Sequence, residues 1–337
     1  MTVQKRSIGG TAVHPIGLGC MNLSHAYGPA QAHKDAVAFL QRAIDIGYDF
    51  LDTATIYGMG NNEKLIGEAL QGRRSSFLLA SKCVMGFKDG KRWLDGSPAA
   101  IKKACTASLE RLRTDVIDLY YMHRPDPNVP IEESVGALAD LVAQGKIRMI
   151  GLSEMSAETI KKAHAVHPIS AVQSEYSLLT RNPEIAVLQA CQDLGITFVP
   201  FSPVGRGFLA DAPLKPDEYH ESDLRRTFPR YSEPHFSQNL ALLDIAKAQA
   251  KALNCTVGQL ALAWCLAQDK TCVPIPGTTN LQHLEDNFAA AEISMPADVL
   301  AQLNADFAPE AVSGLRYSPP AQATVSTERY EFEMQAQ

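Results

Sequence analysis

Short apolar runs recur along the chain, each followed by a polar turn and then by a longer stretch with apolar positions at helical spacing. Ile16–Leu18, Phe50–Asp52, Phe77–Lys82, Ile117–Met122, Ile147–Leu152, Ser170–Ser174, Ile196–Phe201 and Thr271–Ile275 read as buried strands, because apolar residues fill both faces. The stretches between them read as helices: Lys34–Ile46, Asn62–Leu70, Pro98–Leu112, Ile131–Ala143, Ala157–His164, Pro183–Leu194, a pair over Gln238–Gln268, and Leu281–Ala291. Punctuation supports the boundaries. Gly47, Gly145 and Gly195 stop helices, and Ser97-Pro98 supplies an N-cap followed by proline at the first helical position.

About eight strands alternating with about eight helices predict an α/β fold, a single (β/α)8 barrel spanning residues 1–337. A doubly wound sheet has the same alternation, and strand count alone does not prove closure. Three segments lie outside the repeat. Lys5–Gly19, with Gly9-Gly10-Thr11 between two short β-like pieces, predicts a capping hairpin that leads into the first strand. The long polar stretch 205–234 is expected to be a lid after strand seven, and the tail 309–337 a wall over the barrel mouth. The segment Gly86–Gly96, which carries Trp93, is expected to be a loop.

Composition narrows the function. Hydrophobic residues make up 46% of the 337, enough for a sizeable core. Thirty-one basic against 37 acidic residues leave a formal charge of -6 and no dense basic run, so a small molecule is expected as partner in place of a nucleic acid. The absence of an apolar leader or spanning run predicts a cytoplasmic protein without a membrane partner. Seven scattered cysteines without a close pair read as reduced structural thiols. His164 and His167 form a close histidine pair without an evident third ligand, so no metal site is expected. Gly17-Leu18-Gly19 does not continue as a dinucleotide fingerprint: Asn22 holds the third glycine position, and Tyr27-Gly28-Pro29 interrupts the helix that should follow.

The chemistry sits at strand ends. Asp52 closes strand two with Tyr57 in the loop behind it, Lys82 closes strand three, and His123 follows strand four. Taken alone, Asp52 could be a loop cap, Lys82 a snorkelling surface residue and His123 a core histidine. In a barrel, however, these neighbouring strands open on one face, so the four side chains should converge. A carboxylate that holds an ammonium, an ammonium that favours the phenolate of a tyrosine, and an imidazole that binds a substrate oxygen together suit proton donation to a carbonyl.

Asp52-Thr53-Ala54 with Tyr57-Gly58, Lys82 at its strand end, and Leu119-Tyr120-Tyr121-Met122-His123 make the sequence resemble the aldo-keto reductase superfamily from Gly17 to Asn287. The likeness is to the longer-loop bacterial and plant-type members and the related potassium-channel β subunits. It implies a catalytic tetrad at Asp52, Tyr57, Lys82 and His123 and a nicotinamide cofactor across the barrel mouth, NADPH (NADP+) with NADH possible. By the same resemblance Ser153, Glu154 and Gln173 lie at the carboxamide, and Phe201 stacks on the nicotinamide. Ser202, Pro203, Val204, Gly205 and Gly207 lie at the pyrophosphate, and Gly277, Thr279, His283, Asp286 and Asn287 at the adenosine end. Met21, Asp52 and Tyr57 complete the cofactor contacts. Glu154 departs from the usual Asn or Arg of the family, and His283 stands where it usually has a 2′-phosphate cation. Lys215, Arg225, Arg226 and Arg230 are the loop cations available to replace it, Arg230 being assigned to the cofactor.

Asn22 and Tyr27 after strand one, Trp93 after strand three, His123, and Tyr317 from the tail are the expected substrate contacts. They suggest an apolar, aromatic-lined pocket for a hydrophobic aldehyde or ketone, with charged substrates disfavoured. Three other functions share these residues: a slow cofactor-sensing subunit, an NAD-dependent alcohol dehydrogenase, and a lyase using Lys82 as a Schiff-base nucleophile.

Overall fold

A computed structural model describes residues 3–88 and 91–335. The hairpin β1 (Arg6–Ile8) and β2 (Thr11–Val13) precedes the barrel strands β3 (Leu18–Gly19), β4 (Phe50–Asp52) and β5 (Leu78–Cys83). A second hairpin follows, β6 (Met85–Lys88) and β7 (Lys91–Leu94), where the sequence predicts an irregular loop. The barrel then continues through β8 (Ile117–Met122), β9 (Ile147–Ser153), β10 (Ile169–Glu175) and β11 (Thr197–Phe201). All seven barrel strands pair in parallel in the order β11-β10-β9-β8-β5-β4-β3.

The eighth segment closes the barrel without forming a full strand. Val273 and Ile275 donate to Phe198 O and Pro200 O on one side, and Pro274 O and Pro276 O accept from Gly17 and Gly19 on the other. A residue's N–H and C=O point the same way in a strand, so the two prolines remove the donors that would face β3. What remains toward β11 is a pair of parallel bridges, Phe198 with Cys272 and Phe201 with Ile275.

Outside the barrel lie α1 (His33–Ile46), α2 (Asn61–Ala69), α3 (Pro98–Leu112), α4 (Ile131–Ala143), α5 (Ala157–Val166) and α6 (Val187–Leu194). They are followed by α7 (His235–Ala252), α8 (Val257–Gln268), α9 (Leu281–Ala289) and α10 (Ala297–Asp306). The fold is a (β/α)8 barrel. Short helices α11 (Pro319–Gln322) and α12 (Glu331–Gln335) lie in the tail, and the 205–234 segment is built of single helical turns. Among the described residues no helix is long and apolar enough to cross a membrane.

The period of two along each strand sorts the core into two layers. Leu51, Leu79, Tyr120, Met122, Leu152, Val172 and Phe198 pack outward against the helices. Phe50, Leu78, Ala80, Leu119, Tyr121, Ala171, Val199, Val273 and Ile275 fill the barrel, and Ile8 and Val13 of the first hairpin join them from below. Gly151 makes this layer possible, since a Cβ there would lie 2.3 Å from the Tyr121 ring. Counting up the inward positions by twos leads from Phe50 to Asp52, from Ala80 to Lys82, from Tyr121 to His123, from Gly151 to Ser153 and from Ala171 to Gln173. The barrel's own alternation therefore delivers these side chains to its mouth.

Candidate active site

Lys82 is fully buried and ion-paired with Asp52, and its Nζ also donates to Thr53 O at 2.9 Å and lies 3.4 Å from the Tyr57 hydroxyl. The second oxygen of Asp52 accepts from Gln173 Nε2 at 2.8 Å. Burial pushes the Asp52 carboxyl upward, opposed by the Lys82 charge. Burial alone would lower the Lys82 ammonium, but Asp52 and Tyr57 outweigh it and hold it above the ordinary lysine value. An amine kept protonated in this way is a poor Schiff-base nucleophile.

Tyr57 reaches this pair from a tight turn in which Gly58 and Met59 adopt left-handed backbone, φ 54° and 53°. Asn62 secures the turn: it accepts from Thr53 Oγ1 and donates to Cys20 O and Ser24 Oγ, tying the loop after β4 to the loop after β3. The Tyr57 ring meets His123 edge-on with centroids 5.8 Å apart and lies 5.6 Å from His25. Burial raises the Tyr57 phenol above its ordinary value and the Lys82 charge works against that rise, leaving a protonated hydroxyl at neutral pH.

Above these residues lies a cavity of about 660 Å³. Asp52, Tyr57, His123, Ser153, Gln173 and Phe201 line its floor, and Ser202, Pro203, Val204 and Gly207 continue its wall. Met21, Asn22, Tyr27, Gly277, His283, Asp286, Asn287 and Tyr317 also face it. The donor set suits a nicotinamide: the Ser153 hydroxyl and Gln173 amide sit on paired strand ends, and a half-buried Phe201 offers a ring beside them. No ionic ligand is required for such a group.

The comparisons agree with this geometry. Residues 15–305 match the model of the Aldo/keto reductase family. The chain belongs to that family. It is 43% identical to aldo-keto reductase yakc [NADP(+)] of Schizosaccharomyces pombe, over 95% of this chain and 96% of that protein. Among solved structures it is similar to the glycerol dehydrogenase of Gluconobacter oxydans, with TM-score 0.80 and 26% identity over 95% and 99% of the two chains. An aldo-keto reductase from Klebsiella pneumoniae, in complex with NADP and acetate, gives TM-score 0.72 and 27% identity over 94% and 99%.

In this aldo-keto reductase six of the residues assigned to the site from sequence lie off the cavity wall, as do the loop cations Lys215 and Arg226. Lys82 sits behind Tyr57. Glu154 is fully buried and saturated: it accepts from both terminal nitrogens of Arg316, from Thr327 Oγ1 and from the Glu175 amide, leaving nothing to offer a carboxamide. Its carboxyl is held below the usual range, the Arg316 and Arg124 charges overcoming the upward push of burial. Arg230 turns away to the carbonyls of Leu179 and Gly314 and to Thr180 Oγ1. Gly205 packs on Leu179 and Leu209, and the Thr279 carbonyl accepts from Gln31. Trp93 is 45% exposed on the second hairpin, its ring lying over Gly86 across the register.

Other wall residues carry no role in the sequence reading: His25, Arg124, Arg206, Leu209–Leu214, Thr256, Gly258, Gln282 and Thr324. Arg206 is a hub of contacts between β10, the 205–234 segment and the tail. It pairs with Glu175 at 2.8 Å, donates to Tyr317 OH at 3.3 Å and lies over the Phe228 ring at 4.7 Å. Arg225 also faces the cavity, paired with Asp223 at 2.7 Å and stacked on Tyr219 and Tyr27. Of the signals for these residues, only Arg124, directly after His123, was plain in the sequence.

Proposed function

We propose that this chain reduces the carbonyl of an aldehyde or ketone to an alcohol with NADPH, Tyr57 donating the proton. The Tyr57 hydroxyl beside a charged, buried Lys82 that Asp52 holds in place is the observation that carries the reading. The naming of NADP in the yeast relative and in the Klebsiella complex supports the cofactor.

Ser153 and Gln173 would hold the carboxamide, with Phe201 against the ring. When bound, the reduced nicotinamide supplies hydride to the carbonyl carbon. The chain's own residues do the rest. Tyr57 and His123 hydrogen-bond the carbonyl oxygen and polarise it, and Tyr57 releases its proton to that oxygen as negative charge develops. Lys82 stabilises the phenolate left behind, and Asp52 and Thr53 O keep Lys82 charged and aimed. The wall also carries Met85, Ile56, Phe228 and Tyr317, which would limit water around the reacting groups once the cofactor and substrate fill the cavity. Seven unpaired cysteines, six of them buried, support a reducing, cytoplasmic compartment.

The test is a fluorescence titration of the purified protein with NADPH and with NADH, followed by loss of cofactor absorbance on adding aromatic aldehydes and bulky ketones. Tight NADPH binding with turnover is expected. Binding without turnover would favour a cofactor-sensing subunit instead.

A further inference from the structure

Three arginines face the cavity, and two of them are neutralised: Arg206 by Glu175 and Arg225 by Asp223. Among the described residues the third, Arg124, has no carboxylate at ion-pair distance. It follows His123 directly, and its Nη1 donates to the His123 carbonyl at 2.7 Å and to Ser153 Oγ at 3.3 Å. These contacts fix the guanidinium between the ends of β8 and β9. Its Nε is buried with no hydrogen-bond partner.

The nearby acids are already committed. Glu154 feels the Arg124 charge, yet its oxygens bond Arg316, Thr327 and the Glu175 amide. Asp126 accepts from the Gly96 amide ahead of α3 and from the Asn128 amide of its own loop. Arg124 is partly exposed, faces a cavity that also presents Ile56 and Met85, and makes no direct ion pair among the described residues, so its guanidinium is available to an anionic ligand there. Its fork geometry matches a carboxylate. Arg124 lines the same cavity as Tyr57 and His123, the two residues that the reductase reading places at the carbonyl oxygen.

We propose that Arg124 anchors a carboxylate on the substrate, so that this site prefers carbonyl compounds carrying an acidic group over their neutral counterparts. The inference rests on the reductase reading above and names the substrate class for the same site. It departs from the expectation of a hydrophobic aldehyde or ketone with charged substrates disfavoured.

The experiment compares 2-, 3- and 4-carboxybenzaldehyde with their methyl esters as substrates of the wild type, Arg124→Gln and Arg124→Lys. Calorimetric binding of benzoate and benzamide to the NADP+-loaded protein runs in parallel. At least one acid should exceed its ester in kcat/KM, mainly through KM. Arg124→Gln should reduce that ratio by about 10- to 100-fold, as expected for a charged hydrogen bond. Arg124→Lys should restore part of it, and benzoate should bind more tightly than benzamide only where the charge is kept. Equal losses for acid and ester in Arg124→Gln, or no preference for any acid in the wild type, would overturn the proposal. Failure to reduce any aldehyde would instead count against the reductase reading, and the benzoate binding would still decide the role of Arg124.

Discussion

Glu154 and Arg316, 162 residues apart in sequence, form a fully buried two-pronged ion pair with bonds of 3.1 and 2.8 Å. The pair fastens the C-terminal tail to the residue directly after Ser153. Ser326 N adds a bond to Glu154 O at 2.9 Å, and Glu328 accepts from the Ala157 amide at the start of α5. The tail brings Tyr317, Ala321 and Thr324 to the cavity, so the anchor is also a support for the pocket wall.

Glu154→Gln should therefore destabilise the fold by about 3–5 kcal/mol, because it leaves the Arg316 charge buried without its partner. Denaturant unfolding at neutral pH measures this. The Glu154 carboxyl titrates below the ordinary glutamate range in the folded state. Its contribution is thus present above that range and is lost as pH falls through the folded value. The gap between wild type and variant should accordingly narrow below about pH 4. A gap independent of pH would show that Glu154 acts by packing and not by charge.

Lys82 carries a prediction about the direction of the reaction. A proton donor works while protonated, so reduction should persist through neutral pH and fall only above the ordinary tyrosine range of about 10, since burial raises the Tyr57 phenol. Alcohol oxidation needs the phenolate and should rise with pH over the same range. Lys82→Met removes the charge that opposes the rise, so its alkaline limb should move further up. Oxidation should then suffer more than reduction, with losses of about 10²- to 10⁴-fold. Steady-state rates in both directions across pH provide the check, and an unmoved alkaline limb would remove Lys82 from the proton step.

The strand ends were legible in sequence because local rules govern them. A buried apolar run that closes on Asp52, Lys82 or His123 needs only the period of two to place those side chains inward at the barrel mouth. The eighth strand was legible as an apolar segment, but its prolines at 274 and 276 reduce it to bridges on a neighbour 74 residues away. The roles of Glu154, Arg206 and Arg230 were not legible. Each is decided by partners far along the chain, Arg316, Glu175 and Gly314 among them, and no local pattern distinguishes a tail anchor from a cofactor contact. Trp93 misled for a related reason: a hairpin replaces the expected loop and lays the ring against Gly86.

The most direct test of the account is Tyr57→Phe, measured as single-turnover reduction of an aromatic aldehyde alongside fluorescence titration with NADPH. The account predicts a loss of about 10²- to 10⁴-fold in the reduction step with cofactor affinity close to that of the wild type. Undiminished reduction by Tyr57→Phe would contradict it and return the proton to another donor.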